Sequence, residues 1–314
     1  MRIRFMKGIE QSRAYYEEFG EPMLKRDFPE FFGRMAIGLV GHGSECFGFD
    51  DEISADHDFE PGFCIWLTDE DEKEIGFKLF RAYSKLPKEF MGVKCLDRSA
   101  LGSKEKGVHT ISEFYRSYTG RSGSPESLQD WLYTPSHYFA EATNGAVFHD
   151  PLGEFTRIRE EIMHGMPRDV RLKRIASSAF KMAQSGQYNY KRCIAHGELG
   201  SARLALNEFV ESCAELAFLL DKSHAPYYKW IFRAMKDLPR MSFLSAKLER
   251  LLTLPSDETL KIELLIEEVS ADVISEMKRQ GITKATCNYL ETHAYSINDR
   301  IKDPDIRSMH IILQ

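Results

Sequence analysis

The sequence lacks three features that mark membrane proteins and disulfide-linked secreted proteins. No run of apolar residues approaches the roughly 20 that a helix needs to span a bilayer. The first residues, Met1 to Lys7, contain no apolar segment typical of a secretory signal. The six cysteines occur singly, without a Cys-x-x-Cys pair, which disfavours a disulfide framework or a zinc site. These absences predict a cytoplasmic protein with reduced thiols and no membrane partner.

An excess of positive charge is also missing. The 314 residues include 42 lysines and arginines against 48 aspartates and glutamates, a formal net charge of −6. Because duplex-binding proteins gain most of their affinity from basic side chains on phosphates, a duplex DNA partner is disfavoured. Residues 1–150 have 18 basic and 26 acidic side chains (−8), and residues 151–314 have 24 and 22 (+2). An acidic first half suits a metal site, a cationic substrate or simply a solvated surface.

Hydrophobic patterns change character at about residue 155. Before this point, short apolar runs bounded by turn residues predict strands, and after it apolar residues recur every three or four positions, which predicts long helices. The stripe from Ala202 to Leu220 is the clearest of these. We therefore predict an α+β protein, with a small mixed-sheet domain over residues 1–155 and a C-terminal helical bundle over residues 156–314. The predicted strands are 35–40, 63–67, 107–112 and 145–148, and the predicted helices include 11–19 and 23–32, separated at Gly20-Glu21-Pro22, and 284–301.

One stretch in the first half contains residue types with a specific chemistry. Gly43-Ser44 follows the first predicted strand, and eleven residues later Asp56-His57-Asp58 precedes the second. Glycine lets backbone amides approach an anion and serine adds a hydroxyl donor, so the pair can hold a phosphate. Two carboxylates two residues apart at a strand start point the same way and offer the oxygen ligands that Mg²⁺ prefers. The alternative is a glycine turn followed by a strand with an acidic N-terminal flank. Of the four Gly-Ser pairs in the sequence, only this one is followed by Asp-x-Asp at this distance.

The pattern resembles the polymerase-beta-like nucleotidyltransferase superfamily, in which Gly-Ser or Gly-Gly precedes Asp-x-Asp or Asp-x-Glu by about ten residues. The order of a small α/β domain and a helical bundle resembles the kanamycin and streptomycin nucleotidyltransferases. The amino-acid sequences of residues 144–150 and 226–230 resemble an uncharacterised bacterial branch of the superfamily. The resemblance implies that Gly43 and Ser44 bind the triphosphate of ATP or another NTP. It also implies that Asp56 and Asp58 ligate Mg²⁺ and are catalytic.

Two positions depart from the pattern of that superfamily. The middle residue of the acidic pair is usually apolar, and here it is His57. The third carboxylate normally lies on a later strand, yet residues 108–112 contain no acid, and Glu113 is the nearest candidate. Some antibiotic-modifying relatives take their general base from elsewhere, including the helical domain. The missing acid therefore weakens a polymerase-like reaction more than transfer to a small molecule.

Four polar residues in the second half are further site candidates. Glu198 could act as a general base with a pKa raised by burial, or be an exposed glutamate or ion-pair partner. Asn189, Arg192 and Lys229 could contact nucleotide phosphates. For Lys229 the alternative is a solvated lysine whose aromatic neighbours pack.

These observations lead to one expected function and two alternatives. The expectation is a Mg²⁺-dependent nucleotidyltransferase that moves NMP, AMP in the first instance, from NTP to a hydroxyl of a small polar acceptor in the interdomain cleft. An aminoglycoside-like cation is one candidate acceptor, by fold analogy. The alternatives are transfer to a protein or tRNA acceptor, and an inactive nucleotide-binding regulatory or antitoxin-like protein.

Overall fold

A computed structural model describes residues 6–51, 60–94 and 106–313. The chain divides into two compact units: unit 1 is Met1–Glu126 with Tyr138–Gly165, and unit 2 is Ser127–His137 with Met166–Gln314. The boundary expected at residues 155/156 falls inside unit 1. That the two halves are independent domains stays a prediction.

Unit 1 is built on a mixed four-stranded sheet, and this sheet together with the helices confirms the α+β class. The sheet order is β5-β2-β1-β6. Strand β1 pairs antiparallel with both β2 and β6, and β2 pairs parallel with β5. The strands are β1 (Ala36–Leu39), β2 (Cys64–Leu67), β3 (Glu89–Phe90), β4 (Val93–Lys94), β5 (Gly107–Thr110) and β6 (Ala146–His149), with β3 and β4 forming a separate hairpin.

The two central strands are apolar throughout because both of their faces are covered. Every residue of β1 and β2 is buried, which explains why their sequences are continuous apolar runs and not alternating ones. On one face, Ile37, Ile65 and Leu67 pack into a core with residues of the N-terminal helices. On the other, Trp66 stacks on Phe155 with ring centroids 4.1 Å apart.

Helices make up the rest of the regular structure. In chain order they are α1 (Gly8–Tyr15), α2 (Glu21–Asp27), α3 (Pro29–Phe32), α4 (Asp69–Tyr83), α5 (Ile111–Thr119), α6 (Leu128–Tyr133), α7 (Ser136–Thr143), α8 (Glu154–His164), α9 (Arg168–Met182), α10 (Lys191–Ala195), α11 (Leu199–Leu220), α12 (Tyr228–Met235), α13 (Leu244–Thr253), α14 (Thr259–Arg279), α15 (Leu290–Asn298) and α16 (Pro304–Ser308). None of the helices in these described ranges is both long and apolar enough to cross a membrane.

The break predicted at Gly20-Glu21-Pro22 is wrong. A π-helical turn, Tyr16–Gly20, joins α1 to α2 without interruption. Gly20 serves close packing, since a Cβ there would lie 2.4 Å from Cζ of Phe63. Pro22, which has no backbone N–H to donate, follows this turn as the second residue of α2.

The helix predicted over 284–301 is also too long, because α15 covers only Leu290–Asn298. Side chains satisfy the backbone amides that precede it. The amide of Leu290 donates to Oε1 of Gln187 at 2.9 Å, and that of Lys284 donates to Oγ of Ser296 at 2.8 Å. These bonds take the place of helical ones before α15 begins.

Unit 2 has a helical core centred on α11. The predicted stripe is confirmed: Leu206, Phe209, Cys213 and Leu216 are all buried. Helix α9 is buried along most of its length and packs on α11 and α15. Five of the six cysteines are described, and all five are free thiols.

His293 of α15 is fully buried in this core. Its Nε2 lies 2.8 Å from the Cys287 carbonyl oxygen and its Nδ1 lies 2.9 Å from Oγ1 of Thr283. Because a carbonyl only accepts, Nε2 carries the proton and Nδ1 accepts from Thr283. Burial lowers the pKa of His293 below its usual value.

We therefore expect acid to destabilise unit 2 through His293. Below about pH 6.5 the unfolded chain binds a proton that the folded chain excludes, so stability falls as the pH falls. Urea unfolding of the wild type and of His293→Gln at pH 7.5 and 5.5 should show a smaller pH dependence for the variant. His196→Gln, an exposed histidine, is the matched control. Equal pH dependence in all three proteins would contradict the assignment.

Candidate active site

The Gly-Ser pair lies in a turn directly after β1. Gly41 and Gly43 have φ values of +129° and +108°, which side-chain-bearing residues rarely adopt. The chain then turns back, with the amides of Phe47 and Phe49 donating to the Ser44 carbonyl at 3.2 and 2.8 Å. Among the described residues, the amides of Gly43, Ser44 and Glu45 have no hydrogen-bond acceptor. Adjacent amides of this kind can bind an anion.

The segment before β6 holds this turn in place. The Asn144 side chain accepts from the Gly41 amide at 2.9 Å and donates to the Gly41 carbonyl at 2.8 Å. The next residue, Gly145, donates its amide to the Cys46 carbonyl at 2.8 Å. A Cβ on Gly145 would lie 1.9 Å from the Leu39 carbonyl oxygen. Asn144-Gly145 therefore acts as a clamp on the turn that contains Gly43-Ser44.

A cavity of about 390 Å³ opens beside the clamped turn. The turn contributes Gly41, His42 and Glu45, and β5 and α5 contribute His109 and Glu113. Lys106, just before β5, completes the polar lining. The cavity thus combines carboxylate, imidazole and ammonium groups near the edge of the sheet where β1 ends and β5 begins.

Two ion pairs organise the polar groups of this cavity. Nζ of Lys106 lies 3.4 Å from Oε1 of Glu45, whose side chain is buried. The same ammonium donates to the Glu60 carbonyl at 2.7 Å. Nδ1 of His42 lies 2.7 Å from Oε2 of Glu141, a buried carboxylate on α7. A half-exposed imidazole fixed by a buried carboxylate is an arrangement typical of general-base histidines.

Sequence reasoning missed His42, Glu141 and Lys106, and only identified Glu113 by its position. Lys106 and Glu141 are distant in sequence from the Gly-Ser and Asp-x-Asp motif, and His42 directly precedes Gly43 but is not part of the motif. Glu113 lies in the first turn of α5, where its amide donates to the Thr110 side chain at 3.1 Å. The helix therefore begins one residue after β5 ends, and places an acid at the cavity although the strand itself has none.

Asp56, His57 and Asp58 lie outside the described residues. Strand β2 begins at Cys64, six residues after Asp58, and residues 60–63 are not strand. The expectation that the acidic pair leads straight into the strand is therefore wrong. Their assignment as Mg²⁺ ligands stays a prediction, and within the described ranges no group of three His, Cys, Asp or Glu side chains is arranged to hold a metal ion.

The candidates in unit 2 lie on its surface. Glu198 is exposed and precedes α11 as its N-cap residue, without a side-chain capping bond. Its exposure agrees with the alternative of an exposed glutamate, and its role as a general base stays a prediction. Arg192 contacts Tyr188 on the same helical segment, with Nη1 3.1 Å from the phenol oxygen, and Asn189 is exposed beside it. Lys229 is exposed on α12 over the Trp230 ring, 5.2 Å from its centroid. No hydrogen bond or ion pair among the described residues joins Lys229 to the other three.

Comparison with known proteins identifies only distant similarity. Residues 131–231 match the model of a domain of unknown function (DUF4037). The matched residues include the clamp and the four unit 2 candidates but not Gly43-Ser44. No curated protein matches the chain. The chain is similar to the crystal structure of a nucleotidyltransferase-like protein from Exiguobacterium sibiricum 255-15, with 10% identity, 89% of this chain and 90% of that chain covered, and a TM-score of 0.37. A TM-score of this size does not establish a common fold.

The clamp can be tested with two glycines that have the same backbone conformation. Gly145 and Gly153 have φ values of +64° and +70°, but a Cβ on Gly153 meets nothing within 4 Å. Gly153→Ala should therefore cost only about 1–2 kcal/mol, from its left-handed backbone. Gly145→Ala adds a clash with the Leu39 carbonyl and should cost at least about 2 kcal/mol more. Urea unfolding measures both, and equal losses would contradict the clamp.

Proposed function

We propose that the protein is a Mg²⁺-dependent nucleotidyltransferase, which transfers NMP from NTP to a hydroxyl of a small polar acceptor. The observation that carries the proposal is the clamped turn at the end of β1, with three adjacent amides and the Ser44 hydroxyl beside a polar cavity. A fixed turn binds a phosphate without first having to be ordered, so binding energy is not spent on loop closure. AMP from ATP is the first transfer to test.

The triphosphate would lie on the turn. The amides of Gly43, Ser44 and Glu45 would donate to its oxygens, and the Ser44 hydroxyl would add a further donor. Asp56 and Asp58 would hold Mg²⁺, which supplies charge neutralisation and orientation when bound. Their carboxylate oxygens are the donor type that this ion prefers.

The acceptor hydroxyl needs a group that takes its proton. As the acceptor oxygen bonds to the α-phosphorus, the bond to pyrophosphate breaks and the hydroxyl proton passes to a base. We assign this role to His42, with Glu141 as its positioning residue. His42 contacts Glu141 through Nδ1, so when the neutral imidazole holds its proton on Nδ1, the acceptor lone pair is on Nε2. The exposed Glu198 is the less favoured base, because nothing among its described contacts orients it.

A second candidate function is nucleotide binding without turnover. It is favoured by β5, which ends without a carboxylate. Pyrophosphate release from ATP and Mg²⁺ with a panel of aminoglycosides, tRNA and protein acceptors distinguishes the two. Measurable ATP binding without release for any acceptor would favour the binding protein.

Nucleotide binding should depend on the acidic pair. Calorimetric titration of the full chain with ATP and Mg²⁺ should show about tenfold or greater weakening in Asp56→Asn, because a metal ligand loses its charge. Asp305→Asn changes the second residue of another Asp-x-Asp, which is exposed, and should bind as the wild type does. If Asp56→Asn binds ATP unchanged, the metal assignment is wrong.

The proposed base makes a separate prediction about rate. Glu141→Gln should lower kcat for the best acceptor by about tenfold to a hundredfold, because His42 loses the carboxylate that fixes its tautomer. The KM for ATP should stay within about twofold, since the turn is held by Asn144. His42→Gln should lower kcat at least as much.

Glu17→Gln, an exposed glutamate of unit 1, is the control for the loss of one carboxylate. An unchanged kcat in His42→Gln, with the fold intact by circular dichroism, would overturn the role of His42. Parallel changes in kcat and in the affinity for ATP would instead indicate that Glu141 only supports the fold.

A further inference from the structure

Unit 2 contains a cavity that the proposed transfer does not use. Its volume of about 550 Å³ lies in the usual range of small-molecule sites, about 300–1,000 Å³. Val210 of α11 and Ile231 and Phe232 of α12 give it an apolar wall. Tyr228, which is 70% exposed, stands at its edge. Gly43, Ser44, Asn189, Arg192, Glu198 and Lys229 are all absent from its lining.

A polar stripe faces the apolar wall across this cavity. Asn207, Glu211 and Glu215 are spaced four residues apart on α11, so they share one helix face, and all three line the cavity. An apolar wall opposite a short row of polar groups is the composition typical of a site for an amphipathic small molecule.

The two carboxylates of the stripe differ in how they are balanced. Oε1 of Glu215 lies 2.9 Å from Nη2 of Arg174, a guanidinium that is only 6% exposed. Arg174 is further held by the Trp131 carbonyl at 3.3 Å. Glu211 makes no ion pair or hydrogen bond with the described residues. The charge that the cavity leaves without a counter-ion is therefore negative.

We propose that this cavity binds a small amphipathic cation, with its ammonium group at Glu211 and its apolar body against Val210, Ile231 and Phe232. Asn207 lies one helical turn from Glu211 and offers an amide oxygen to a second N–H of the same ammonium. The exposed ring of Tyr228 adds a face on which a cation is attracted by the ring quadrupole.

The same charges disfavour an anionic ligand. Arg174 is already engaged by Glu215, and His137 is the other basic side chain in the lining. A phosphate or carboxylate would therefore meet the Glu211 carboxylate without a lysine or arginine to balance it. The cavity is thus distinct in chemistry from the proposed triphosphate turn of unit 1. The inference does not rest on the transferase proposal.

Three ligands with one apolar body and different charges test the proposal directly. The full chain is titrated calorimetrically with 4-phenylbutylamine, 4-phenylbutanol and 4-phenylbutyrate. We expect the amine to bind about tenfold more tightly than the alcohol, since a charge-assisted hydrogen bond adds to the same apolar burial. The acid should bind more weakly than the alcohol. Equal affinities for amine and alcohol, or tightest binding of the acid, would overturn the proposal.

Matched variants then locate the ammonium group. Glu211→Gln keeps the shape and removes the charge, so it should remove the advantage of the amine and leave the affinity for the alcohol unchanged. Glu208→Gln, an exposed residue of α11 outside the cavity lining, should leave both affinities unchanged. Loss of the amine preference in both variants, or in neither, would contradict the assignment to Glu211.

Asp56→Asn separates this cavity from the nucleotide site. The variant should bind 4-phenylbutylamine as the wild type does, whether or not it binds ATP. If ATP displaced 4-phenylbutylamine from the wild-type protein, the two ligands would share one site, and this result would overturn the proposal.

Discussion

The structure of unit 1 depends on one contact between distant segments, the clamp of Asn144-Gly145 on the turn after β1. Gly41 exchanges two hydrogen bonds with the Asn144 side chain, and the Gly145 amide bonds to Cys46. The clamp uses the Gly41 amide and carbonyl itself, so a ligand must use the amides that come after it. Because the clamp and the ligand use different backbone groups, the turn of residues 41–45 can be anchored by Asn144 and still bind an anion.

The order of the strands also determines which residues line the cavity beside the clamped turn. Because β6 pairs with β1, the residues that precede β6 start beside the end of β1. Because β5 runs parallel to β2, which is antiparallel to β1, β5 starts near the same edge of the sheet, directly after Lys106. Helix α5 follows the far end of β5 and contributes Glu113 from its first turn. The cavity is therefore a product of strand order, and its polar groups come from four separate parts of the chain.

The sequence predicts the parts of this architecture that depend on local pattern. The runs at β1 and β2 are apolar because both faces of these strands are covered, and the apolar residues of α11 repeat with the helical period. The two strands and the helix can therefore be predicted from the sequence. The π-helical turn before α2 is not, because Gly20 is placed by the Phe63 ring and not by its neighbours in sequence. The pairing of His42 with Glu141 joins residues about 100 positions apart, which one sequence cannot reveal.

The negative charge of the first half has a structural explanation that bears on ligand choice. The buried carboxylates described in unit 1 are Glu45, Asp50, Asp71 and Glu141, and each faces one basic side chain: Lys106, Lys7, Arg34 and His42, respectively. Burial without such partners would cost several kcal/mol per charge, so these pairs are structural necessities. The excess of acid must then come from exposed residues and from the segment that contains Asp56 and Asp58. Any cation attracted by unit 1 responds mainly to those charges, because Glu45, Asp50 and Asp71 are already balanced by lysine or arginine, and Glu141 is balanced when His42 is protonated.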